Sequence, residues 1–199
     1  MSNSKFERPR ILGVTPFFKM WDLVLKNHTE TGPFSPEFLM GIFWEESAFR
    51  NMRQREGSLR ASPNPNQRRA VGFGQVVPFW IKDAHPRLRN CNETEIEALI
   101  LSDDNLSVQV TSRALAQNLR QLGNATLALN QYGSGDPHGT PANLARWRSI
   151  ERGLLNLPHL RGRLPRNTTA PELQDPNVIA DIKAALGANS GQISADFAF

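Results

Sequence analysis

An apolar stretch that carries two adjacent acids, residues 34–50, constrains the fold of this chain more than any other segment. It opens with Ser35-Pro36-Glu37, which predicts a helix start: a capping hydroxyl, a proline for the first turn and an acid. The apolar residues that then share one helical stripe are Phe38, Ile42 and Phe49. At roughly 100° per residue, Glu46 falls in the middle of that stripe and Glu45 at its rim. Because a buried carboxylate is costly unless it is partnered or neutral, Glu46 is either a structural acid satisfied by an arginine or a backbone N–H, or an active group.

The size and charge of the chain limit its class without choosing its partner. With 199 residues it is long enough for one substantial domain. Its formal charge of +4 and its pI near 9.7 favour an anionic partner, and nucleic acid, an acidic glycan and a membrane surface all fit. The single cysteine, Cys91, excludes an internal disulfide and is typical of a small buried residue.

The sequence carries no recognisable export or membrane signal. No apolar run approaches the roughly 20 residues that span a bilayer. Residues 1–18 lack an apolar core and a small-residue cleavage site, so we expect synthesis in the cytoplasm without a Sec signal. Action in the periplasm or cell wall would then require release through a phage holin or injection by a secretion system. A phage endolysin, a virion-associated enzyme and a secreted effector all remain open.

The hydrophobic periodicity predicts a mostly α protein with almost no alternating strand pattern. We expect one domain over residues 1–163, followed by a linker and tail over 164–199 with one helix near 175–186. The tail could contact a delivery protein, an immunity protein or its own core. Residues 50–70 are polar and basic and predict a long loop or small hairpin, either a solvated surface or a functional loop. Its arginines are Arg50, Arg53, Arg55, Arg60, Arg68 and Arg69.

Several classes of chemistry find no support in the motifs. The four histidines are scattered and no Cys/His pair has ligand spacing, so we expect no metal and no cofactor. Residues 71–78 lack the lysine and hydroxyl of a phosphate-binding loop, and no nucleophile elbow is present. The arginines leave DNA binding open, but no docking motif appears, so nucleic acid is not the expected partner.

The remaining motifs resemble those of the soluble lytic transglycosylases, within the goose-type lysozyme-like group. Glu46-Ser47-Ala48-Phe49 resembles the Glu-Ser-x-Phe motif of that family. Residues 72–78 (GFGQVVP) are similar to its Gly-Leu-Met-Gln-Ile-x-Pro segment, with Gly74 in place of Met. The motifs follow in the same order, at similar spacing, across about residues 34–150.

Two further segments and a tryptophan continue the resemblance. Asn105-Leu106 resembles the start of the family helix before its third motif, and residues 128–133 (ALNQYG) resemble Ala-Tyr-Asn-Ala-Gly. Leu129 stands where the family has a tyrosine, and Tyr132, three residues on, could replace it because i and i+3 share a helix face. Trp147 falls where the family often has a tryptophan.

The resemblance implies a lysozyme-like fold with a basic loop beside the active-site cleft, Glu46 as catalytic acid, and peptidoglycan glycan strands as substrate. Glycoside hydrolysis generally uses two carboxylates, but Glu56 is the only other acid between Glu46 and Gly72. A single acid suits a transglycosylase, which closes a 1,6-anhydromuramoyl ring without water. This requires a protonated Glu46, and we expect the apolar stripe to raise its pKa by desolvation. The alternatives are a hydrolytic muramidase and a non-catalytic module that binds glycan or nucleic acid.

The same resemblance suggests how substrate is held. Ser47 could bond near the acid or to an acetamido group, Gln75 and Asn130 could bind sugar hydroxyls, and Gly74 would widen the cleft floor. Aromatic rings would stack on the sugar. For each position, capping or packing is the competing interpretation. The full expected substrate-binding set is Ser47, Phe49, Phe73, Gln75, Asn130 and Tyr132.

Overall fold

The computed structural model describes residues 15–28, 33–53, 70–157 and 175–187. These ranges are mostly helical and hold isolated β-bridges but no strand, which confirms the predicted fold class. Residues 54–69 of the predicted basic loop, including Glu56, and the predicted domain boundary at 163 lie outside them. Within them, no helix combines the length and the apolar character that a bilayer span needs. The helices are α1 (Phe17–Asn27), α2 (Pro36–Ser47), α3 (Pro78–Ile81), α4 (Glu93–Ser102), α5 (Asp104–Leu122), α6 (Ala125–Ser134), α7 (Leu144–Leu155) and α8 (Pro176–Ala185), with a 3₁₀ turn at Pro86–Leu88.

Helix α2 lies at the centre of the molecule. Ser35 caps it, because its hydroxyl oxygen accepts a hydrogen bond from the backbone N–H of Phe38 at 3.1 Å. The same hydroxyl donates to Glu151 of α7 at 2.7 Å, which ties the two helices together. Residues 38–44 are all buried, so the helix is covered on every side and not only along the predicted stripe. It ends at Ala48, which has a left-handed φ of 49°.

Helix α7 packs directly on α2 because Gly41 has no side chain. A Cβ at Gly41 would lie 2.7 Å from the carbonyl oxygen of Trp147, closer than real contacts allow. The tryptophan ring is 1% exposed and meets Phe38 edge-on. This close approach brings the start of α7 beside the last turn of α2, where the two acids lie.

Two hydrophobic clusters share helix α5. The first joins α1, α2, α7 and α8, and takes Val108 and Leu115 from α5. The second joins α3, α4 and the turn at 71–76, and takes Leu106 and Val110. Tyr132 packs against both clusters. Helix α5 therefore fixes the two halves of the described chain to each other.

Two local contacts order the segment around α4. Helix α4 is opened by a capping box of Asn92 with Glu95. Arg53, expected in a solvated or functional loop, pairs with the buried Glu97.

The C-terminal helix forms as predicted and packs on the chain's own core. Asp175 caps it by accepting from the backbone N–H of Asn177 at 2.8 Å. Its buried residues Val178, Ile182 and Leu186 belong to the first cluster.

Candidate active site

Glu46 lies in the last turn of α2 and faces the start of α7. Its Oε1 accepts a hydrogen bond from Nδ2 of Asn143 at 3.2 Å. Asn143 immediately precedes α7, but its side chain makes no capping bond to that helix. A residue type that normally caps a helix is thus used here to hold a carboxyl group.

The surroundings of Glu46 favour its protonated form. Burial raises the pKa of Glu46 above its ordinary value, and the charge of Glu45 raises it further. The bond from Asn143 and the nearby indole N–H of Trp147 act in the opposite direction but do not outweigh burial. That indole N–H is buried and makes no hydrogen bond of standard geometry. The expected upward shift is confirmed.

Glu45 has a different environment from its neighbour. Its Oε2 lies 2.8 Å from Nε of Arg146, and the Glu45 side chain is only 6% exposed, deeper than the rim position that the stripe predicted. Burial raises the pKa of Glu45, while the Arg146 guanidinium lowers it. The pKa of Glu45 is raised overall, and its carboxylate has a charged partner, whereas Glu46 accepts a hydrogen bond from a neutral amide.

Tyr132 lies between Glu46 and the turn at 72–75. Its hydroxyl donates a hydrogen bond to the carbonyl of Gly74 at 2.5 Å. Burial raises the pKa of Tyr132 well above its ordinary value, and the charge of Glu46 adds to the increase. Leu129, at the family's tyrosine position, is instead buried in the first cluster. The phenol that interacts with the acid therefore belongs to Tyr132, three residues after the position at which the family has its tyrosine.

Gly74 does not leave an opening in the site, and the expectation of a widened cleft floor is wrong. A Cβ there would overlap the side chain of Thr111 and the hydroxyl of Tyr132. The space that a larger residue would fill is occupied by these two groups. Gly74 is required so that Tyr132 can reach the backbone.

Three expected substrate contacts are packing or capping residues. Phe49 and Phe73 have no exposed area and lie in the first cluster, so neither ring can stack on a sugar in this conformation. Phe73 meets the ring of Phe43 edge-on. Ser47 is buried and donates to the carbonyl of Phe43 at 3.0 Å. The competing interpretation of local packing describes all three.

The two expected amide contacts also make structural bonds. Gln75 adopts a positive φ of 49°, and its Nε2 donates to the carbonyl of Gly72 at 2.7 Å and that of Met52 at 3.2 Å. Asn130 donates through Nδ2 to the carbonyl of Pro137 at 3.0 Å. Both side chains are half-buried, and Gln75 also lines a cleft.

The sequence did not reveal this cleft, which has a volume of about 1250 Å³. One wall is formed by residues 75–83 and the start of α4, and the other by α5 and the end of α6. Tyr132 lines it, whereas Glu46 does not. Trp80 is 61% exposed and Phe79 is 44% exposed on its rim.

Two local sequence patterns, recognisable once the structure is known, mark residues that line the cleft. Pro78 and Ile81, three residues apart, are the inner positions of one helical turn and are both buried. That pattern leaves Phe79 and Trp80 pointing outward. On α5, Gln117 and Gln121 recur at i and i+4 on the side that faces the cleft.

In the described ranges, no group of three or more His, Cys, Asp or Glu side chains is placed to hold a metal ion. The candidate site therefore consists of an acid, an orienting amide and a phenol beside a cleft. Comparison of the chain with protein-family models, with curated proteins and with solved structures found no match.

Proposed function

We propose that this chain cleaves the β-1,4 bond between N-acetylmuramic acid and N-acetylglucosamine in peptidoglycan, on a lysozyme-like fold. Glu46 is the single catalytic acid, and the product carries a 1,6-anhydromuramoyl end. The observation that carries the proposal is the environment of Glu46. The carboxyl is half-buried, desolvation raises its pKa, and Asn143 orients it beside Tyr132. A raised pKa is what a general acid needs near neutral pH.

The reaction uses one carboxyl group twice. Protonated Glu46 gives its proton to the glycosidic oxygen, the bond from that oxygen to muramoyl C1 breaks, and the glucosamine leaves with a free hydroxyl. The Glu46 carboxylate then takes the proton of the muramoyl C6 hydroxyl, whose oxygen bonds to C1. The acid is regenerated and no water is consumed. Acid–base assistance of this kind contributes about 10²–10⁴-fold to the rate.

The neighbours of Glu46 support this assignment of roles. Arg146 engages the Glu45 carboxylate in an ion pair, and although burial leaves the pKa of Glu45 raised, this charged contact ties Glu45 to α7. The raised pKa of Tyr132 keeps the phenol protonated, so this residue donates a hydrogen bond and does not act as a base. Its bond to Gly74 fixes the ring beside the acid.

The first test is the loss of turbidity of purified cell walls. We expect Glu46→Gln to lower the rate by about 100-fold or more, because the amide cannot donate the proton. The matched control is Glu37→Gln in the first turn of the same helix, remote from the site, which should keep the wild-type rate. A Glu46→Gln protein that clears walls at the normal rate would rule out the single-acid mechanism.

The second test identifies the product by mass spectrometry of digested peptidoglycan. Ends that carry a 1,6-anhydro ring support the transglycosylase route. Reducing ends, heavier by one water, would show a hydrolytic muramidase that uses Glu56 or another acid.

A further inference from the structure

The cleft rim carries an unusual pair of exposed aromatic side chains. Among the described residues, the large hydrophobic side chains that are strongly exposed are Phe79, Trp80 and Leu155. The first two are adjacent, with ring centroids 5.0 Å apart and an interplanar angle of 85°. Exposed aromatic surface costs free energy, and a contiguous patch commonly marks a binding surface. Pro78 and Ile81 are buried beneath the patch, so the helical turn that presents the two rings is anchored.

The rest of the cleft lining is rich in neutral amides. These groups both donate and accept hydrogen bonds, as sugar hydroxyls and acetamido groups do. The amide side chains in the lining are Gln75, Asn92, Gln117, Asn118, Gln121 and Gln131. Asn92 caps α4, and Gln75, Asn118 and Gln131 donate to backbone carbonyls, so Gln117 and Gln121 of α5 are the amides that the inference relies on most. Aromatic faces beside convergent amides suit a ligand that alternates apolar ring faces with polar edges.

Charge in the cleft argues against a polymer with a phosphate at every unit, such as nucleic acid. The charged residues of the lining are Lys82, Asp83 and Glu93, so the lining has more acid than base and no arginine. A groove that binds a phosphate backbone is lined by several lysines or arginines. The volume of about 1250 Å³ exceeds the roughly 300–1,000 Å³ of small-molecule pockets, which fits several linked sugars better than one.

From these observations we infer that the cleft lined by Trp80 and the α5 amides is a binding site for chains of β-1,4-linked N-acetylated amino sugars, with Trp80 as its stacking platform. The ligand class rests on the proposed function. Tyr132 lines the cleft, and its ring meets Trp147 of α7 with 6.1 Å between centroids. Asn143 at the start of α7 bonds to Glu46, so a strand held on Trp80 leads toward the acid. The site binds the glycan and takes no part in bond cleavage.

The test uses the full chain with Glu46→Gln, so that ligand is not consumed. The probes are chitotetraose and peptide-free glycan strands prepared with an amidase. Trp21, Trp44 and Trp147 are at most 3% exposed, so quenching by a solute reports mainly on Trp80. We expect both probes to protect tryptophan fluorescence from acrylamide in a saturable manner.

Calorimetry then compares variants in the same background. We expect Trp80→Ala to weaken binding about tenfold, the size of one lost stacking contact, and Trp80→Phe to restore most of it. Leu155→Ala removes a similarly exposed side chain from α7, outside the cleft, and should leave the affinity unchanged.

Four results would overturn the inference. Two are the absence of saturable binding of either probe and an unchanged affinity in Trp80→Ala. The third is binding only to strands that retain their stem peptides, and the fourth is a Trp80-dependent dimer in sedimentation with no sugar bound. These outcomes are separate from failure of the proposed function. If Glu46→Gln abolishes wall lysis but Trp80→Ala does not change sugar binding, only the binding site at Trp80 is ruled out. If sugar binding depends on Trp80 but the wild type does not lyse walls, only the catalytic proposal is ruled out.

Discussion

At the scale of single residues, burial makes the Glu46 carboxyl favour its protonated form, because the hydrogen bond from Asn143 opposes that shift only weakly. The length of this bond, 3.2 Å, is at the long end for an N–H···O hydrogen bond. A bond of this length orients the carboxyl but only partly compensates for desolvation. Glu45, by contrast, has a charged partner at 2.8 Å. The two adjacent acids of α2 thus have different partners: Glu46 has a neutral amide, and Glu45 has a guanidinium.

The raised pKa of Glu46 also predicts a dependence of stability on pH. A folded-state pKa above the unfolded value means that the contribution to stability is complete below the ordinary value of 4.5 and is lost as the pH rises through the raised value. Glutamine mimics the protonated acid and never ionises. We therefore expect Glu46→Gln to melt at a higher temperature than the wild type at pH 7, and at the same temperature near pH 4.

Thermal unfolding of both proteins, followed by circular dichroism from pH 4 to pH 8, measures this difference. A difference in melting temperature that stays constant across the range would show that ionisation of Glu46 does not destabilise the fold.

At the scale of helices, the contact between α2 and α7 determines the geometry of the candidate site. The cap at Ser35 and the apolar spacing predicted α2, because those signals are local. The pairing of Asn143 with Glu46 could not be predicted, since the two residues are brought together only by helix packing. Gly41 is the local sign of that packing, but a glycine within a helix indicates only that something comes close, not which element does.

Gly41→Ala tests this contact. The added methyl group would lie 2.7 Å from the Trp147 carbonyl, so α7 has to move. Alanine is the better helix former by up to about 1 kcal/mol, but overpacking against backbone costs about 1–3 kcal/mol. We expect a net loss of stability in urea denaturation, and a loss of wall lysis under conditions where the variant is still folded.

Met40→Leu is the matched control, because it changes shape but not volume at the adjacent buried position and should cost less than about 1.5 kcal/mol. Wild-type stability together with wild-type lysis in Gly41→Ala would show that the close approach of α7 is not required.

At the scale of the whole molecule, the sequence predicted the helical class but not how all the parts combine. A change to Pro, Asn and Thr after residue 157 suggested a linker and a tail whose contact could be a delivery protein, an immunity protein or its own core. Helix α8 packs in the same cluster as α2, which is the last of these alternatives. A change in composition shows where a helix ends. Whether a later helix packs on the same core depends on long-range contacts, which composition does not show. The cleft was missed for the same reason, because α3 and α5 meet only in the fold.

Ile182→Ala tests whether α8 belongs to the cooperative core. This side chain has no exposed area, and its truncation should cost about 2–5 kcal/mol through the cavity that it leaves. We expect near-ultraviolet and far-ultraviolet dichroism to report one earlier transition. Ile179→Ala, at a half-buried position of the same helix, is the control with a smaller loss. Unchanged unfolding of Ile182→Ala would show that α8 adds no stability to the rest of the molecule.

The position of Tyr132 between the two clusters has an experimental consequence. The chain contains one tyrosine, and that residue touches both clusters, bonds to the turn at 72–75 and lies beside Glu46. The phenol is therefore a built-in optical label at a known place. A change in tyrosine absorbance reports on the junction of the two halves without any introduced dye, and the four tryptophans remain available as a separate signal.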